Sequence, residues 1–183
     1  MTKNKKPIQL PSPPPPRFYW AYGSNLNLHR MRIRCPQARP YSPLIIDDGL
    51  LLFRGVADVE FNRGGKVAGG LWRITPQCIQ ALDRYEGVSI GLYRKKYLRI
   101  RAEGQEHRVL YYQMTIGGVM PPSESYLDTI VQGYRDFELD EALLDVAVRR
   151  SWDQKEITAH LRQRYGNRGR RALPSALSVV DEE

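Results

Sequence analysis

A glutamate at the end of a predicted helix, Glu86 in LDRYEGV (82–88), is the side chain best suited to acid–base chemistry. On a helix over 76–86, Ile79, Leu82 and Glu86 fall at i, i+3 and i+7, so they share one face. We expect that face to be buried, because its other members are apolar. Burial can raise the pKa of a carboxyl group by about 3 to 5, and the helix dipole adds a smaller increase. A pKa near neutrality suits a general acid or base.

The same pattern also allows two structural roles for Glu86. The carboxylate could reach solvent at a frayed helix end, or it could pair with Arg84 or Arg94. Taken alone, the residue pattern favours these structural roles over catalysis.

The stretch YWAYGSNL (19–26) contains the second candidate, a strand that ends in a small polar turn. A strand ending at Tyr22 and Gly23, followed by Ser24, Asn25 and a helix, would present free backbone N–H groups at a helix N-terminus. Such groups suit a carboxylate or an oxyanion, and glycine allows a ligand or another backbone to approach closely. Asn25 could instead cap the helix. The turn by itself therefore does not establish a binding site.

Other chemistries have less support in the sequence. His29, His107 and His160 lack the mutual spacing of a metal site, and the phosphate-binding GxxxxGK[ST] motif is absent. Cys35 and Cys78 lie far apart without CxxC spacing. This usage predicts a reduced, cytoplasmic protein with two buried cysteines, and it argues against a disulfide scaffold or a structural zinc site.

The net charge of +8 at pH 7 first suggests a nucleic-acid partner. The first 17 residues carry four of these charges and residues 153–183 carry one, so residues 18–152 are only mildly basic. A solvated tail is the commoner explanation of such a charge run. A second hypothesis nevertheless stays open, that the chain is a non-catalytic binding module whose basic tail contacts nucleic acid or an acidic partner. It is motivated by Arg162, Arg164, Arg168, Arg170 and Arg171.

Composition divides the chain into three parts. Residues 1–16, with four consecutive prolines at 13–16, are predicted to form a disordered proline-rich lead. Residues 17–152 are predicted to fold as one domain, and residues 153–183 to form an extension that is partly helical and then mobile. The N-terminus lacks the apolar region of a signal peptide, and no run approaches the roughly 20 apolar residues of a membrane span. No membrane partner is predicted.

The predicted domain alternates short strands with few helices. We predict strands at 17–22, 44–46, 50–53, 56–61, 67–74, 93–101 and 107–115, with turns at 47–49 and 62–65. We predict helices at 28–35, 76–86, 121–137 and 141–152, the second capped by Thr75 and ended by Gly87. Residues 153–165 could continue the last helix. This pattern predicts an α+β domain with a small curved sheet or barrel.

Several motifs, in their order and spacing, resemble the gamma-glutamylcyclotransferase-like family over about residues 18–135. They are YGSNL (22–26), RIRCPQA (32–38), GGLWRIT (69–75), LDRYEGVSIGLY (82–93) and PPSESYLDTI (121–130). The resemblance implies a small mixed β-barrel with flanking helices. It also reverses the balance for Glu86, which becomes the expected acid–base residue.

The resemblance further implies a set of substrate-binding residues. The YGSNL loop of the family binds the glutamyl substrate mainly through backbone amides, and two tyrosines after the glutamate complete the site. In this chain the residues are Tyr22, Gly23, Ser24, Asn25, Leu26, Tyr93 and Tyr126.

The implied reaction needs no cofactor and no metal. The α-amine of a γ-glutamyl amide attacks its own γ-carbonyl, which gives 5-oxoproline and a free amine or amino acid. The expected partner is a small γ-glutamyl compound, with a γ-glutamyl dipeptide as the first expectation, and the expected assembly is a monomer or a homodimer. The resemblance does not indicate which amine leaves.

Overall fold

A computed structural model describes residues 15–165, without the side chains of residue 62 and residues 154–165. Most of the predicted lead and the end of the predicted extension therefore lie outside the described residues. The same holds for the arginine side chains that motivate the nucleic-acid hypothesis.

The described chain contains five strands and four α-helices. The strands are β1 Phe18–Ala21, β2 Arg39–Phe53, β3 Ala57–Arg73, β4 Tyr93–Ala102 and β5 Gln105–Met114. The α-helices are α1 Leu28–Arg34, α2 Pro76–Tyr85, α3 Glu124–Asp136 and α4 Glu141–Tyr165, and short 3-10 helices lie at Ser24–Leu26 and Val88–Ile90. The predicted continuation of the last helix past residue 152 is thus present in α4.

The strands form one mixed sheet in the order β2-β3-β1-β5-β4. β1 runs parallel to β5, and the other neighbouring strands are antiparallel. The α+β class is therefore confirmed. The sheet is open, however, because no pairing between β2 and β4 closes it among the described residues, and the predicted barrel is not confirmed.

Two long strands, β2 and β3, stand where the sequence predicted four shorter ones. The prediction was wrong because it ended strands at the turn-like segments 47–49 and 62–65. Asp47 pairs with Lys66 and Gly49 with Phe61, so both segments lie inside one ladder as an irregularity. Asp48 has a φ of +57°, and its Oδ1 accepts a hydrogen bond of 2.8 Å from the N–H of Gly64. The long antiparallel ladder outweighs the local turn preference, so the strands bend here and do not end.

α2 forms as its sequence predicts and carries Glu86 at its end. The Thr75 side chain caps it by accepting from the N–H of Cys78 at 3.3 Å, and proline occupies the first turn. Glu86 is the C-cap, and Gly87 follows with a left-handed φ of +60°. Leu82, one turn before Glu86, is fully buried. The helix therefore fixes the glutamate against the core.

One buried cluster joins the sheet to all four helices. It includes Met31 of α1, Leu82 of α2, Ile130 of α3 and Leu144 of α4, packed with strand residues such as Trp20. No helix in the described part of the chain is long and apolar enough to cross a membrane. This shared core brings the C-terminal ends of β1 and α2 close to the N-terminal end of α3.

Candidate active site

A cavity of about 260 Å³ opens where the end of β1, the start of β3 and the end of α2 meet. Residues from the 3-10 helix after β1 and from β4, β5 and α3 complete its wall, so seven elements contribute to it. The lining residues are Tyr19, Tyr22, Gly23, Ser24, Asn25, Val56, Ala57, Tyr85, Glu86, Leu92, Tyr93, Tyr112 and Tyr126. The structure thus brings together every predicted site residue except Leu26.

Glu86 is the only carboxyl group among the lining residues, and its exposed fraction is 8%. Burial raises its pKa to about 7, although the charge of Arg34 and a hydrogen bond from Asn25 both lower it. The predicted alternative partners, Arg84 and Arg94, form no ion pair with Glu86 within the described part of the chain. A buried carboxyl group that titrates near neutrality can both accept and donate a proton at physiological pH.

The side chain of Asn25 contacts Glu86 directly. Its Nδ2 donates to Oε1 of Glu86 and to the hydroxyl oxygen of Tyr19, each at 2.9 Å. Its Oδ1 accepts from Nη1 of Arg34 at 2.5 Å. Because Arg34 occupies the amide oxygen, the amide nitrogen must face the carboxyl group. Asn25 therefore orients Glu86 and favours its ionised form.

Arg34, in the last turn of α1, forms the outer part of this network. Nη1 also donates to Oγ of Ser24 at 3.2 Å, and Nη2 donates to the hydroxyl of Tyr85 at 2.5 Å. Its guanidinium carbon lies 3.6 Å from the centroid of the Tyr85 ring, in cation–π geometry. One arginine thus holds the glycine-containing turn, the amide of Asn25 and the tyrosine that precedes Glu86.

The turn after β1 folds as a 3-10 helix over Ser24–Leu26, separate from α1. Asn25 does not cap α1, because Asn27 does so by accepting from the N–H of Arg30 at 3.0 Å. The first N–H groups of such a helix have no partner inside it. Leu26 is fully buried and does not line the cavity; it holds the turn against the core.

Gly23 and two tyrosines close the inner wall. The hydroxyl of Tyr126 accepts from the N–H of Ala57 at 3.0 Å, and burial raises the pKa of Tyr126 to about 12. The hydroxyl of Tyr93 donates to the carbonyl of Ala57 at 3.5 Å. A Cβ on Gly23 would lie 3.1 Å from Cβ of Ala57 and 3.2 Å from the Tyr126 hydroxyl, so a side chain there would crowd this wall. The hydroxyl of Tyr22 donates to the carbonyl of Tyr112 at 2.5 Å.

The sequence pattern missed three further lining tyrosines, Tyr19, Tyr85 and Tyr112. Tyr112, on β5, lines the cavity while its hydroxyl donates to Oδ1 of Asp83 at 2.7 Å. Burial raises the pKa of Tyr19 well above its usual value, so this phenol stays neutral beside Glu86. Among the side chains that the structure describes, no group of three or more from His, Cys, Asp or Glu is placed to hold a metal ion.

Comparisons with known proteins identify the family of the chain. Residues 66–145 match the AIG2-like family. The gamma-glutamylcyclotransferase of Bos taurus is 32% identical over 132 residues, which cover 65% of this chain and 70% of that protein. The chain belongs to the gamma-glutamylcyclotransferase family. The Homo sapiens gamma-glutamylcyclotransferase is 30% identical over the same shares of the two chains.

A solved structure named gamma-glutamyl cyclotransferase shares the fold of this family member. The two align with a TM-score of 0.61 and 25% identity, covering 75% of this chain and 85% of the other. The predicted family and enzyme class are confirmed, and the chain is an enzyme of the gamma-glutamylcyclotransferase type.

Proposed function

We propose that this enzyme cleaves a γ-glutamyl amide by attack of the substrate's own α-amine on its γ-carbonyl. The products are 5-oxoproline and a free amine or amino acid, with a γ-glutamyl dipeptide as the first expected substrate. The observation that carries the proposal is Glu86, a buried carboxyl group with a pKa of about 7 in a cavity of about 260 Å³. The names of the relatives agree with this reaction.

The reaction is balanced without a cofactor. The α-ammonium first gives a proton to Glu86, and the free α-amine then attacks the γ-carbonyl carbon to form the five-membered ring. The carbonyl oxygen becomes an oxyanion as the new C–N bond forms. When that oxyanion collapses, the original C–N bond breaks and Glu86 returns its proton to the departing amine nitrogen. The second proton lost by the ring nitrogen also goes to the departing amine, which leaves as an ammonium ion. No water molecule is consumed.

Glu86 is suited to both proton transfers because its two protonation states are nearly equal in free energy at neutral pH. The buried wall around it supports the ring closure, since it can hold the flexible substrate in a folded conformation. Orientation of this kind can contribute several kcal/mol, up to about 7–11 kcal/mol, to catalysis.

The glycine-containing turn is the proposed holder of the substrate's charges. The lining residues include no lysine, arginine or histidine, so the α-carboxylate needs neutral donors. The backbone N–H groups of Ser24 and Asn25, at the start of the 3-10 helix, are suitable donors for a carboxylate or an oxyanion, and that of Ser24 also faces the Tyr126 hydroxyl. The Tyr93 and Tyr126 hydroxyls are the proposed side-chain contacts.

We further propose that residues 17–152 are the catalytic unit, because every lining residue falls between Tyr19 and Tyr126. The cytoplasmic location stays a prediction, based on two free cysteines, Cys35 and Cys78. A monomer or a homodimer stays the expected assembly.

The pH dependence of kcat/KM should report the pKa of Glu86. Glu86 must be ionised to accept the ammonium proton, and burial raises its pKa to about 7. We therefore expect kcat/KM to fall about tenfold per pH unit below about pH 7. The measurement is an initial-rate profile from pH 5 to 9, with circular dichroism at each pH as the folding control. An acid limb near the ordinary carboxyl value would contradict the assignment.

The proposed function is tested by incubating the purified chain, without added metal, with γ-glutamyl dipeptides and γ-glutamylamines. Release of 5-oxoproline is measured by mass spectrometry. Release from at least one compound supports the cyclotransferase reaction. No release from any compound would contradict the proposal.

A further inference from the structure

The mouth of the cavity carries large apolar side chains that face solvent. Tyr85 and Leu92 line the cavity and are 48% and 37% exposed. Ile90 and Met120 are 82% and 57% exposed. We call these four residues the apolar rim. Single exposed apolar residues are ordinary on a protein surface, but a group of them beside a cavity marks a ligand or partner contact.

Ile90 reaches the mouth through the chain segment that directly follows the glutamate. It lies in the short 3-10 helix between Gly87 and Gly91, which both have left-handed φ values. A Cβ on Gly87 would lie 3.3 Å from Cγ1 of Ile90 and 3.3 Å from Cβ of Leu92. Ile90 and Leu92 therefore flank the same glycine, one residue after Glu86.

Met120 reaches the mouth through a chain segment that is paired with its neighbours. The N–H of Thr115, at the start of that segment, donates to the carbonyl of Leu92 at 3.1 Å. The carbonyl of Met120 accepts from the N–H of Gly55, just before β3, at 2.8 Å. The segment between β5 and α3 is thus attached to both sides of the opening.

The cavity changes in polarity from floor to mouth. The buried lining residues carry hydroxyl, amide and carboxyl groups, as in Tyr19, Asn25 and Glu86. The exposed lining residues near the mouth are the phenol Tyr85, whose hydroxyl is engaged by Arg34, and the aliphatic Leu92. A bound γ-glutamyl head, with its carboxylate and ammonium, would match the floor, and the group that leaves would lie against the apolar rim.

We propose that the preferred substrates are γ-glutamyl conjugates whose amine part carries a bulky apolar side chain. This inference rests on the proposed function and specifies its leaving group. The rim is continuous with the cavity through Tyr85 and Leu92, and its methionine side chain can adapt to several apolar shapes. Burial of such a side chain against the rim would lower the barrier for that substrate selectively.

The test compares conjugates that differ only in the leaving amino acid. γ-Glutamyl-leucine and γ-glutamyl-asparagine match in size and differ in polarity, and the phenylalanine and alanine conjugates extend the series. We expect kcat/KM for the leucine conjugate to exceed that for the asparagine conjugate at least about tenfold, with phenylalanine above alanine. Equal values would overturn the inference and leave the proposed function intact. No 5-oxoproline from any conjugate would overturn the proposed function.

Two matched variants locate the preference on the rim. Ile90→Ser should lower the leucine-to-asparagine ratio of kcat/KM several-fold. Ile45→Ser removes an isoleucine that is 49% exposed on edge strand β2, outside the apolar rim, so the ratio should not change. An unchanged ratio in Ile90→Ser would overturn the inference. Loss of a homodimer in that variant with the ratio unchanged would instead assign the rim to subunit contact.

Discussion

Glu86→Gln should lower kcat at least about 10³-fold and leave the domain folded, because one group performs both proton transfers. Glutamine has the size of glutamate, and its amide oxygen can accept the 2.9 Å hydrogen bond that Asn25 donates to Oε1. The substitution therefore removes the proton acceptor without opening a hole. The measurement is the rate of 5-oxoproline release at saturating substrate. A folded variant with wild-type activity would contradict the assignment of Glu86.

The stability of the same variant provides an independent control. Burial raises the pKa of Glu86 from 4.5 to about 7. The contribution of the neutral side chain to the free energy of unfolding is therefore fully present below about pH 4.5 and is lost as the pH rises through about 7. The ionised form then costs about 3 kcal/mol relative to the neutral form. Urea unfolding should find Glu86→Gln equal to wild type at pH 4.5 and more stable by up to about 3 kcal/mol at pH 8.5. Loss of activity together with loss of stability would mean only misfolding.

Arg34→Met should lower kcat/KM at pH 7 by about 10- to 100-fold, because the residue positions the glutamate through Asn25. Without Arg34, the amide of Asn25 is free to turn and the 2.9 Å hydrogen bond to Glu86 is no longer enforced. The lost positive charge also raises the pKa of Glu86, since Arg34 lowers it in the folded protein. The acid limb of the kcat/KM profile should therefore move to higher pH.

Two companion variants separate positioning from charge. Arg32→Met removes an exposed arginine from the same helix, and Arg32 does not line the cavity, so its profile should match wild type. Arg34→Lys keeps the positive charge but lacks the several N–H donors of the guanidinium group. It should therefore restore the pH of the acid limb more completely than it restores kcat/KM. If Arg34→Met lowered the rate without moving the limb, Arg34 would be structural only.

The sequence predicted the position of Glu86 at the end of its helix because the relevant signal is local. Helix periodicity alone places it on the face of Leu82, and the capping residues Thr75 and Gly87 fix where the helix begins and ends. The exact network around the carboxyl group depends on contacts across the chain. Asn25 is 61 residues away, and a turn motif does not reveal which way an amide side chain points.

Arg34 was missed for a related reason. The stripe of Leu28, Met31 and Cys35 indicates the buried face of α1, and Arg34, three residues after Met31, lies at its border. That position was a usable signal for a partly buried arginine. Its partners, the Tyr85 ring and the Asn25 amide, come from other elements and are defined only by tertiary packing.

The strands show the opposite error, in which local signals were given too much weight. Aspartate, asparagine and glycine at 47–49 and 62–65 are typical of turns, yet β2 and β3 continue through them. Many cross-strand pairs on both sides of the irregularity stabilise the ladder. The barrel was inferred from the number of short strands, and two long strands leave an open sheet.

The most direct test of the account is to run the reaction in water labelled with ¹⁸O and to identify the product by mass spectrometry. Intramolecular attack by the α-amine retains the γ-carbonyl oxygen of the substrate and consumes no water. The account predicts 5-oxoproline without ¹⁸O, released with the free amine by wild type and not by folded Glu86→Gln. Glutamate carrying ¹⁸O would show hydrolysis and would contradict the proposed cyclotransferase reaction.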